Sequence, residues 1–154
     1  IGGSSWYNIM TAYYDSSGTH VSSSVTLAGT RMTSTTSAVY GTIDDSTAQS
    51  AITSAFSSGS LPVDSNGIYF FFFRGSLTFS GFLTSWCGYH SYFYYGGQYI
   101  KYAIVGDPGS ALSGGSGCEG YQAGPTANGN LGADSMASVY AHELVEAVSD
   151  VSCL

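Results

Sequence analysis

Apolar and polar positions along the chain fall into short segments with two different periods. The first pair, SWYNIMTAYY (5–14) and HVSSSVTL (20–27), is β-prone and flanks the turn-forming DSSG, which predicts an N-terminal hairpin. After a small, polar stretch at 28–43 the period lengthens. In DDSTAQSAITSAFSSG, starting at Asp44, the residues Ala48, Ile52 and Phe56 recur every four positions behind an acidic start, and Gly59 ends the run, so a helix is predicted. GIYFFFF from residue 67 is continuously apolar, the pattern of a strand buried on both faces, and SLTFSGF is its expected neighbour. GYHSYFYY and QYIKYAIV, joined by Gly96 and Gly97, predict a second hairpin.

Residues 106–134 hold nine glycines and two prolines with little periodicity, so a long loop is expected, stapled through Cys118 near its middle. A helix over 135–149 follows, with Asp134 as N-cap and Met136, Val139, Tyr140, Leu144 and Val148 as its buried stripe. The sum is an α+β fold: a mixed or antiparallel sheet with about two packed helices, in a single compact domain spanning 1–154. A chain of 154 residues is long enough to bury a core of its own.

Composition narrows the setting. Only 8% of residues are charged, while 40 are Ser or Thr and 13 are Tyr, which gives a hydroxyl and aromatic surface of extracellular or wall-associated character. The net charge is −7, with Arg31, Arg74 and Lys101 as the only Lys or Arg, so nucleic acid and anionic membranes are excluded as partners. The run IYFFFF (68–73) is far too short for a membrane span. The chain opens at Ile1 without an initiating Met and is read as a mature product from which any signal peptide has been removed. It has no Asn-x-Ser/Thr sequon, so any glycans are expected to be O-linked. Of the three cysteines, Cys87 and Cys118 are the expected bridge and Cys153 the unpaired or intermolecular thiol, with three reduced thiols as the alternative. The aromatic residues of 69–73 and 92–95 are expected to alternate across a packed sheet, a sugar-stacking platform being the second reading.

Candidate chemistry concentrates in SVYAHELVEAVSD (138–150), which begins like the zinc-protease pattern His-Glu-x-x-His but carries Glu146 where the second histidine would stand. His142 and Glu146 are four apart on a helix and share a face, while Glu143 lies about 100° round, where the general base of such proteases sits. A third ligand is needed from elsewhere. His90 is the preferred candidate, with Asp150 weaker and His20 weaker still. One divalent cation, zinc or calcium, is the expected cofactor, and the carboxylate in place of histidine shifts preference toward oxygen-seeking ions. An ordinary amphipathic helix is the competing account. On the metal reading, His142 is expected to face inward with Glu146, and His90 to lie within reach.

Five segments, SSWYNIMTAYYDSSGTHVSSSVTLAGT, GSLPVDSNGIYF, SGFLTSWCGYH, IKYAIVG and ANGNLGADSMASVYAHELVEAVSD, resemble in order the EXORDIUM, or phosphate-induced protein, family. Trp86–His90 and Ala141–Ala147 carry its most specific motifs. The resemblance implies a secreted, cell-wall-associated protein like those of plants, with relatives in algae and oomycetes. It places His142 and Glu146 in metal-ligand roles and Glu143 in the base role. Leu83 stands where the family has a further cysteine, and the chain ends at Leu154 where members continue, so the family's C-terminal part is expected to be absent. Two functions from different classes follow. The first is a structural wall protein that assembles with copies of itself and with extracellular polysaccharide. The second is a metal-dependent, peptidase-like hydrolase with Glu143 as catalytic base.

Overall fold

The computed structural model describes residues 1–33, 41–74, 77–109, 117–118 and 126–150. Its centre is the predicted second hairpin. Gly96 and Gly97 adopt φ of +60° and +88°, the left-handed pair that a tight two-residue turn needs. They join β4 (Gly88–Tyr95) to β5 (Gln98–Gly106) in an antiparallel ladder running from Tyr95↔Gln98 to Gly88↔Val105. Along the other side of β5 lies β2 (Ile68–Phe73), parallel, from Ile68↔Lys101 to Phe73↔Gly106. The sheet is therefore mixed, in the order β2-β5-β4.

Strand alternation separates two faces. One carries Tyr69, Phe71, Phe73, Tyr89, Phe93, Ile100, Tyr102 and Ile104. It packs against α1 (Asp45–Ser57) through Ala48, Ile52 and Phe56, as the four-residue spacing predicts. Asp44 caps α1 by accepting from Thr47 N, and Asp45 accepts from the hydroxyls of Tyr89 and Tyr102, tying the helix start to the sheet. A two-stranded parallel sheet of β1 (Gly41–Ile43) and β3 (Leu77–Phe79) adds Ile43 and Phe79 to this core. The second face carries Phe70, Gly88, His90, Ala103 and Val105 and is covered by α2 (Leu131–Ser149).

Four expectations are corrected. The N-terminal hairpin is a 3₁₀ helix, Tyr7–Ala12, followed by a single antiparallel bridge, Tyr14↔His20. The Asp15 carboxylate closes the DSSG turn by accepting from Ser17 N and Thr19 N, but Tyr7 and Met10, three apart, are both buried beside Leu144, which demands a helical turn. SLTFSGF contributes β3, whose partner is β1 and not β2. The apolar β5 gives β2 a six-pair ladder, whereas three-residue β3 would leave much of β2 unpaired. As an edge strand, β2 is not buried on both faces: Phe73 is enclosed, but Phe72 is 51% exposed. Finally, α2 starts at Leu131 with Asn130 as N-cap, its side chain accepting from Ala133 N, while Asp134 lies in the first turn and accepts from Asn128.

Candidate metal centre

The site forms where α2 crosses β4. The helix approaches closely because the strand presents Gly88, whose missing side chain leaves room for Val139 and Glu143. The enclosed positions of α2 are Gly132, Ser135, Glu143, Leu144 and Ala147. Of the expected stripe, Leu144 is buried and Met136, Val139, Tyr140 and Val148 are half-buried. Glu143, 3% exposed, is thus a carboxylate on the face that meets the sheet.

Opposite it stands His90. Its Nδ1 lies 3.0 Å from Glu143 Oε2 and 3.6 Å from Glu146 Oε2, and its Nε2 is buried without a hydrogen-bond partner among the described residues. One ligand atom from each of His90, Glu143 and Glu146 fits within 4.8 Å of the others. Donors around a tetrahedral ion with bonds of about 2.0–2.1 Å stand about 3.4 Å apart, a value that the two distances from His90 bracket. Burial pushes the Glu143 carboxyl above its ordinary range, and the bond from His90 pulls partly back.

The structure therefore brings together His90, Glu143 and Glu146. His142 does not face inward; its side chain is 63% exposed, and it stands at the rim with Nε2 3.1 Å from Glu146 Oε1. Turning Glu143 into the sheet turns its sequence neighbour about 100° away. Asp150 is exposed and caps the C-terminal end of α2 outside the cluster. His20 lies elsewhere, its Nδ1 against Thr11 O and its ring against Tyr14. Beside the cluster opens a cleft of ≈ 340 Å³ lined by Cys87, Gly88, Ser138, Val139, His142 and Glu143. Cys87 in its lining is bridged to Cys118, with Cα atoms 5.2 Å apart, while Cys153 lies outside the described residues.

Sequence reasoning missed Gly88 and the inward aim of Glu143. A signal existed: Gly132, Ser135, Val139, Glu143 and Ala147 recur every three or four residues as a stripe of mostly small residues, the kind that lets a helix sit close to a sheet. Among the described residues, no helix is long and apolar enough to cross a membrane.

Comparison with known proteins agrees with this arrangement of motifs. The family description "Phosphate-induced protein 1 conserved region" matches residues 3–152. Protein EXORDIUM-like 5 of Arabidopsis thaliana is 35% identical over 161 residues, an alignment covering 96% of this chain and 44% of the relative, so the chain spans less than half the length of that protein. No solved structure matches. With the match running almost from end to end, the chain belongs to the phosphate-induced protein 1, or EXORDIUM-like, family.

Proposed function

We propose that this chain is a secreted, wall-associated module that binds one zinc-like divalent cation through His90 Nδ1, Glu143 and Glu146. The family, which is plant extracellular and apoplastic, supports the location. The observation that carries the cation is the convergence of three donors from facing elements within 4.8 Å, one of them a carboxylate buried to 3% exposure. Burying a charge without compensation is costly, and a cation meets that need while also engaging Glu146. One nitrogen and two carboxylates suit zinc better than calcium, which takes six to eight oxygens. Elemental analysis of the native protein tests this. One zinc per chain, lost in Glu143→Gln together with thermal stability, is expected; a metal-free chain whose unfolding is unaffected by added zinc refutes it.

A second reading, a metal-dependent hydrolase, is favoured by the cleft against Glu143 and His142. The cation would then act as the Lewis acid. Glu143, as its ligand, would no longer serve as base, and His142, with its Nε2 3.1 Å from Glu146 Oε1, is the group at the rim that would accept a proton from an attacking water. Loss of hydrolysis in His142→Ala with zinc retained distinguishes this from a purely structural ion. Self-association has its own physical basis in the outer edges of β2 and β4, which carry no ladder partner among the described residues. Sedimentation at rising concentration measures it.

A further inference from the structure

The turn end of β4 and β5 carries a surface that neither core uses. Alternation puts His90, Tyr92 and Tyr94 of β4 and Tyr99 and Lys101 of β5 on the face that α2 covers farther along. Beyond the helix, Tyr94 is 65% exposed, contrary to the expectation that the aromatics of 92–95 are packed away, and Tyr99 is 54% exposed. The Tyr99 ring stands edge-on to both Tyr92 and Tyr94, at centroid distances of 5.4 and 5.3 Å. Grouped tyrosines in water offer apolar ring faces and a hydroxyl rim, which suits a ligand that is itself part C–H surface and part hydroxyl.

Charge decides what kind of ligand. Lys101 is one of three Lys or Arg residues in a chain of net charge −7, and among the described residues no carboxylate pairs with it. A lysine opposite Tyr92 in the ladder, with no carboxylate partner among the described residues, complements an anion. One lysine does not hold a polyanion against that net charge, so a second anchor is needed; a divalent ion at His90, its charge balanced by Glu143 and Glu146, would offer a carboxylate an open coordination position on the same face. From His90 to Tyr94 along β4 is about 13 Å, a span for several linked sugar rings.

The geometry points to a binding surface for a carboxylated polysaccharide. Tyr92, Tyr94 and Tyr99 take the faces of its sugar rings, Lys101 takes one carboxylate, and the cation held by His90, Glu143 and Glu146 takes another. Only that last contact rests on the cation reading given above.

The test measures binding of polygalacturonate, and of its neutral methyl-esterified form, to the full chain with zinc and with a chelator. The acidic polymer is expected to bind best with zinc and more weakly in chelator. Tyr94→Ala with Tyr99→Ala should lower affinity for both polymers about tenfold, and the two Phe variants should retain it. Lys101→Gln should cost about fivefold for the acidic polymer alone. Zinc content and unfolding midpoint should stay unchanged in all of these, since the rings altered are exposed. If tyrosine and lysine variants act while zinc has no effect, the cation contact is overturned and the aromatic surface stands. If zinc binds but neither polymer does, or if the alanine pair changes only the sedimentation of the chain, the surface is not a glycan site and the inference fails.

Discussion

Replacing Gly88 by Ala perturbs the contact that makes the site. A Cβ there would lie 2.8 Å from Ile104 O and 3.3 Å from Glu143 Oε1, and closer still to Val139 Cγ1. Ordinary contact begins at 3.4 Å, so the carbonyl alone demands a retreat of about 0.6 Å. That carbonyl belongs to β5, so its clash falls between β4 and β5; Val139 Cγ1, nearer still and stiff at χ1 in a helix, demands at least as large a retreat of α2. A helix displaced by about 0.6 Å stretches the His90–Glu143 bond from 3.0 Å past hydrogen-bonding distance. Overpacking costs about 1–3 kcal/mol, and a buried carboxylate losing its donor about as much again. At about 2–4 °C per kcal/mol for a domain of this size, the unfolding midpoint should fall by about 10 °C. Zinc affinity should fall at least about tenfold, because the ligands no longer converge. Adding Val139→Ala should restore part of both losses, since the two side chains compete for one space. Thermal unfolding by circular dichroism and zinc titration by calorimetry supply the readouts. A Gly88→Ala protein that unfolds within about 2 °C of the parent and binds zinc equally well would refute the argument.

Further expectations concern the groups around this contact. In chelator, Glu143 has a folded pKa raised by burial, so the folded state binds its proton more tightly than the unfolded chain. Its contribution is then full below the ordinary carboxylate range and is lost as pH rises through the folded value; Glu143→Gln should flatten that decline in denaturation midpoints measured across pH. Reducing the Cys87–Cys118 bridge frees a separation of 31 residues and should cost about 3–4 kcal/mol, read as a lower urea midpoint that Cys87→Ser with Cys118→Ser reproduces without reductant. Asp45→Asn replaces the charged oxygen that accepts from both tyrosine hydroxyls by a neutral amide oxygen and should destabilise by about 1–3 kcal/mol in urea unfolding, while zinc content stays the same.

The elements legible in the sequence are those whose cause is local. Asp44, the four-residue spacing behind it and Gly59 define α1, and the adjacent glycines at 96 and 97 define the hairpin with its register. What failed depends on distant partners. The apolar run of β2 reports a need for cover but not its source, which proves to be Tyr140 of α2 against Phe70 on one face and Phe56 of α1 against Tyr69 on the other. The pairing of β3 with β1 joins segments more than thirty residues apart and leaves no mark in either. In the N-terminal segment, aromatic and β-branched residues suggested strands, while the spacing of Tyr7 and Met10 followed the helical alternative.

The nearness of His90 to Glu146 was legible and the orientation of α2 was not. Choosing the large residues Met136, Val139 and Leu144 as the buried stripe aimed His142 inward, but a helix that meets a sheet over a glycine is positioned by its small residues. Gly132, Ser135 and Ala147 set the rotation, and Glu143 follows them inward. This changes the roles that the protease likeness assigns. A carboxylate enclosed to 3% exposure and bonded to His90 is poorly placed to take a proton from bulk water, whereas Glu146 and His142 stand at the open rim. On the proposed cation reading, burial suits Glu143 to the role of ligand, and His142 is the group at the open rim that an incoming water meets. If the chain has any catalytic capacity, removing the His142 imidazole should therefore abolish it while the ion stays bound, and removing the Glu143 carboxylate should release the ion itself.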